Sequence, residues 1–160
     1  MTEQRYLPPT FQKVIVPGRK QSEPSQNEES EHLLDVSVVF TSTSATAAAL
    51  RTAGVLADSL NARVKLVVPQ VVPFPLPLES PPVLLEFSEH QLRKIATDSP
   101  VETTIQIFLC RDSWETLKTV LAPRSLVVIG GRSRWWRTRE ESLARKLRRT
   151  GHEVIFAETE

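Results

Sequence analysis

Near the end of this 160-residue chain, the stretch from Ser125 to Ser142 holds the residues best placed to do chemistry. An apolar run ends there in Gly130-Gly131 and leads through a charged loop into a helix. The first turn of a helix has free N–H donors and a partial positive charge, so a glycine turn before one can seat an anion. Arg132, Ser133 and Arg134 follow at once and would add cations and a hydroxyl. Two residues work against this reading. Glu140 and Glu141 fall in the first turn of that helix, and Glu141 stands three residues after Thr138, the spacing of a capping box. A polyphosphate would meet like charge there, at a cost of about 1 kcal/mol even for a solvated pair about 4 Å apart. The expectation is an anion site weakened by its own carboxylates.

The loop itself, Arg132 to Arg139, interleaves arginine with Trp135 and Trp136. The plainest reading packs one Trp over the sheet edge and leaves the arginines solvated. Next comes a protein interface, where Trp and Arg are the favoured anchors, with Arg134, Trp135, Trp136 and Arg137 as the candidate partner site. Single-stranded nucleic acid, which uses the same residue types for stacking and phosphate contact, comes last.

The remaining reactive side chains do not assemble into a catalytic set. Cys110 is the single cysteine, which excludes a disulfide within one chain and a multi-cysteine zinc site. His32, His90 and His152 lack metal-ligand spacing, so no metal is expected. No serine sits in a Gly-x-Ser-x-Gly elbow. With no acid/base pair or activated nucleophile in view, the chain does not read as an enzyme.

Charge is unevenly spread. Between Arg124 and Arg149 nine Lys/Arg face two Asp/Glu, a net of +7, which leaves −6 elsewhere in a chain whose total is +1. An anionic partner would produce this, but a helix with a basic last turn accounts for part of it. A basic start followed by an apolar core is missing from the N-terminus, and no apolar run reaches the ~18 residues of a spanning helix. A cytoplasmic protein without a membrane partner is expected.

The elements that must position these residues alternate. Residues 1–32 are rich in Pro, Gln, Ser and Glu and read as a mostly disordered tail; Phe11 to Val16 reads first as part of that tail, and next as an added edge strand or a docking segment. From residue 33 to 160 a single α/β domain is expected. Its strands are Leu34–Phe40, Val64–Val68, Val101–Leu109, Leu126–Ile129 and Val154–Ala157, short and rich in branched residues as strands buried on both faces are. Its helices are Ala45–Leu60, Pro81–Asp98, Ser113–Ala122 and one from Thr138 to Gly151. Ala49, Ala53 and Ala57 recur every four residues and permit close approach to a sheet. Pro69 to Pro82 holds six prolines and reads as a stiff extended loop that covers a cleft, meets a partner, or folds back on the domain. Five strands with four intervening helices make a three-layer, parallel, right-handed sheet. Ligands of such sheets sit beyond the carboxyl ends of the strands. Here that edge comprises Thr41–Ser44, Val68–Val71 and Gly130–Arg134.

Over Leu33 to Ala157 this pattern resembles the universal stress protein family, of the adenine nucleotide alpha hydrolase-like fold. Residues Ala49 to Val68 look like its first helix and second strand without a gap, and Leu126-Val-Val-Ile-Gly-Gly131 like its fourth strand and glycine turn. The resemblance implies strand order 3-2-1-4-5, a homodimer through the last strand, and ATP or another adenine nucleotide as the ligand class. ATP-binding members carry Gly-x-x-Gly, nine residues, then Gly-Ser/Thr. Here Gly130 keeps the first position and Ser133 replaces the second glycine. Read back from the last strand, Glu140 and Glu141 fall where Gly-Ser would be, and Thr41 replaces the acidic residue after the first strand. The implied pocket is thus degenerate, formed by Thr41, Val68, Gly130, Gly131, Arg132 and Ser133. The expected function is a non-catalytic, dimeric regulatory or interaction module without family-type ATP binding; the alternative is a nucleotide sensor with a rearranged loop.

Overall fold

The computed structural model describes residues 12–15, 34–81, 84–97, 102–133, 135 and 138–159. The strands are β1 (Gln12–Ile15), β2 (Asp35–Val39), β3 (Arg63–Val71), β4 (Thr103–Cys110), β5 (Leu126–Gly131) and β6 (Glu153–Glu158). The helices are α1 (Thr43–Leu60), α2 (Leu85–Thr97), α3 (Ser113–Val120) and α4 (Arg139–Arg149). The sheet runs β1-β4-β3-β2-β5-β6. Its five parallel strands stand in the order 3-2-1-4-5 by their own appearance, with helices on both faces, as expected. β1, within the expected tail, adds antiparallel to β4 with Gln12 opposite Phe108. The rest of residues 1–33 lies outside the described residues.

Strand alternation sorts the core into two layers. Val36, Val38, Leu66, Ile105 and Val128 face α1 and α2, while Val39, Val67, Phe108, Val127 and Ile129 face α3 and α4. Ala49, Ala53 and Ala57 are buried to 1% exposure or less, so α1 lies close on the sheet where larger residues would hold it off. Ser42 caps α1, and Asn61 ends it in the left-handed conformation at φ 52°. Thr138 and Glu141 form the full capping box of α4.

At four places the difference from the sequence reading has a local reason. β3 does not stop at Val68 but continues through Pro69 to Val71. Phe40 N–H donates to Val67 C=O at 2.9 Å, so the odd-numbered residues of β3 turn toward β2. Pro69 turns the same way, but β2 has ended at Val39, and the missing N–H loses no ladder partner. Helix α2 starts at Leu85 rather than Pro81. Ser80 is held in a turn by Pro77 C=O at 3.0 Å, and Leu84 C=O accepts the first helical bonds, from Phe87 and Ser88. Helix α3 ends at Val120, and Leu121 turns extended to bury its side chain. The residue before Pro123 would resist helix in any case. Finally, Gly130 and Gly131 do not form a turn. They are the last two residues of β5, paired with Ala157 and Glu158.

Candidate functional site

Since Gly130 and Gly131 are consecutive strand residues, they face opposite sides of the sheet. A Cβ on Gly130 would lie 1.8 Å from Ala45 C=O, in the first turn of α1. A Cβ on Gly131 would lie 2.8 Å from the Phe156 ring and 2.9 Å from Glu140 Cβ. Neither glycine has the positive φ that marks a turn glycine; among the described glycines only Gly151 does, at 96°. Their smallness is therefore used for packing, with a helix N-terminus pressed on the strand from each face.

Each of those N-termini has a first-turn donor capped from within. At α1, Ser42 Oγ accepts from Ala45 N–H at 3.4 Å. Thr41 N–H donates to the buried Thr46 Oγ1 at 3.2 Å, and Thr41 Oγ1 donates to Gly130 C=O at 3.2 Å. The structure thus brings Thr41 onto the glycine pair. At α4, Glu141 N–H donates to Thr138 Oγ1 at 3.2 Å and Thr138 N–H to the Glu141 carboxylate at 3.4 Å. The i,i+4 spacing of Glu141 and Arg145 marks a helix-face pair, yet that carboxylate is engaged at the cap. Arg132 and Ser133 are exposed beyond the strand end, and Trp135 is 94% exposed. Arg134, Trp136 and Arg137, the rest of the expected partner site, lie outside the described residues.

Val68, the remaining pocket candidate, lies in a different space. It lines a half-open cavity of ≈300 Å³ between the carboxyl ends of β2 and β3 and helix α2. Phe40, Phe87, Leu92 and Ile95 form its apolar wall, and no lining residue carries a charge. The apolar face of α2 thus partly covers the cavity and partly joins the core. Sequence reasoning missed this cavity because Phe87 and Gln91 belong to no motif or spacing that marks a site. The longer course of β3, which brings Pro69 and Gln70 over the cavity, was hidden by the proline.

The proline-rich loop folds back on the domain. Val72 is fully buried, and Arg111 Nη1 donates to Val72 C=O at 2.8 Å while its guanidinium lies 4.1 Å from the centre of the Phe74 ring. Phe74 is nonetheless 80% exposed.

At the opposite, amino edge the structure makes a pairing that the sequence reading did not anticipate. His152 is buried, and its Nδ1 accepts from Ser125 N–H at 3.2 Å with Ser125 Oγ at 3.0 Å. The register of β5 on β6, Leu126 opposite Glu153, places the two residues side by side. With the backbone donor also on Nδ1, this nitrogen is an acceptor that ties the start of β5 to the end of α4. Cys110 is buried, with Sγ 3.7 Å from Gln70 C=O. Burial pushes its thiol pKa up, opposed by a hydrogen bond from Thr116 and reinforced by the Asp112 carboxylate. Such a thiol is poor in thiolate and unreactive.

The basic residues of α4 are partly absorbed by structure. Arg148 Nη2 donates to Val154 C=O at 3.2 Å, and Lys146 and Lys118 place their ammonium groups 5.5 and 5.9 Å from the centre of the Trp114 ring. Among the described residues no three His, Cys, Asp or Glu side chains converge as metal ligands, and no helix is long and apolar enough to cross a membrane.

Fold and site together define a three-layer α/β domain whose carboxyl edge holds a closed glycine pair beside an open apolar cavity. No model of a known family matches the chain, and no curated protein matches it.

Proposed function

We propose that this chain is a non-catalytic domain of universal stress protein type, a dimeric interaction module that does not hold ATP in the family manner. The observation that carries the reading is the filled space over Gly131. The Glu140 stem and the Phe156 ring occupy it, and the capping box of Thr138 and Glu141 engages the Glu141 and Thr138 N–H groups, two of the donors a phosphate would meet there. Support for the dimer comes from the free side of β6. Glu153 and Thr159 donate to Ser125 and Gly131 of the β5 side, so the even-numbered residues turn their backbone groups outward; Val154 C=O there accepts from Arg148, which leaves Phe156 and Glu158 as the open part of the edge. An open strand edge of this kind accepts another strand. In an antiparallel pair, the acidic first turn of α4 would approach the basic last turn of its counterpart.

Two measurements test this. Sedimentation velocity at micromolar concentration should give a dimer, and Glu158→Pro, which removes one outward N–H and leaves the β5 ladder intact, should give a monomer. ATP or ADP should leave the melting temperature unchanged. A monomeric wild type would sink the first half of the reading, and an ATP shift of several degrees the second.

The alternative, an adenine-nucleotide sensor with a rearranged loop, draws on Thr41 being tied to Gly130 with Arg132 and Ser133 exposed just beyond. It requires a nucleotide-induced thermal shift that Gly131→Glu abolishes.

A further inference from the structure

Beyond the dimer and the nucleotide question, the geometry points to a second use of the carboxyl edge. We propose that the cavity under α2 binds a small, uncharged, largely aromatic molecule. Its volume of ≈300 Å³ lies at the lower end of small-molecule sites, roughly 300–1,000 Å³. The wall is apolar, with Phe40 and Phe87 supplying ring faces and Leu92 and Ile95 the floor. Polar groups are few and neutral: Gln70 and Gln91 offer amides that both donate and accept. With no cation in the lining, a carboxylate or phosphate entering here would be desolvated without a counter-charge, which strongly disfavours it. An uncharged ring suffers no such loss, and amides can fix its orientation through one or two hydrogen bonds. Phe87 is 58% exposed at the mouth, an aromatic surface that a ring stacked on it would cover.

The test uses N-phenyl-1-naphthylamine, a neutral dye whose emission rises in apolar sites, titrated into the intact protein. Saturable binding at one dye per chain is expected, in the micromolar range. Ser88→Trp, which fills the cavity from the helix side, should weaken binding at least tenfold. Gln91→Trp, from an exposed position on the same rim, should do the same and stands in if Ser88→Trp fails to fold. Val55→Ser, at an exposed apolar residue of α1 away from the lining, should leave binding unchanged. The proposal is overturned by non-saturable emission, by binding that survives a folded cavity-filling variant, by loss of binding in Val55→Ser, or by displacement of the dye by ATP. None of these variants touches β6 or α4, so dimerisation and the ATP response report separately.

Discussion

Two neighbouring parts of the carboxyl edge solve opposite packing problems. At the end of β5 the strand is pinched between α1 and α4, and two glycines are needed because there is no room for a methyl group. Two strands away in the sheet, β3 overshoots β2, α2 stands off it, and an apolar cavity is left. The first place has the sequence signature of a ligand site and no space. The second has space and no signature. A glycine before a helix is evidence of close approach, and what approaches, phosphate or side chain, is decided by the next turn of helix.

This contrast can be broken by adding carbon to each side in turn. Gly130→Ala should have the largest effect, since its Cβ would meet main chain that cannot move without α1. A loss of about 3 kcal/mol is expected, read as a fall of roughly 6–12 °C in melting temperature. Gly131→Ala meets side chains that can shift, so about 1–2 kcal/mol is expected. On the open side the sign should reverse. Ser88→Leu places apolar volume in existing space and improves helix propensity, and should gain about 0.5–1 kcal/mol in chemical denaturation. A destabilised Ser88→Leu would mean that the cavity is not the open half of the pair. The smallest effect belongs to Cys110, whose partner Gln70 lines the cavity. Its raised pKa means that the folded state keeps the proton where the unfolded chain releases it. That stability is present below the ordinary thiol value of 9.0 and lost as pH rises above it. A pH series of unfolding for wild type and Cys110→Ala should diverge only at alkaline pH, and a thiol reagent should modify Cys110 no faster than the protein opens.

The layers of the fold were legible from local patterns: valine runs at β2 and β5, the alanine stripe of α1, and the cap at Thr138. The site was legible only in part. Glu140 and Glu141 correctly marked a crowded helix start, but period-2 facing assigns Gly130 and Gly131 to opposite helices only once both are known to be strand. The cavity was illegible because it arises from the offset between β2 and β3 ends, a tertiary quantity. Pro69 concealed that offset, since a proline in a strand is acceptable only where a neighbour has already stopped. Ser125 and His152 met through strand register, which no spacing in one strand encodes.

The antiparallel edge strand has a consequence for how the chain is made. Gln12 pairs with Phe108, so β1 leaves the ribosome long before β4, the strand it pairs with. At about 5–20 residues per second, that interval is on the order of 5–20 seconds. Until β4 emerges β1 has no sheet edge to join, although β1 precedes β2, β3 and β4 in the chain.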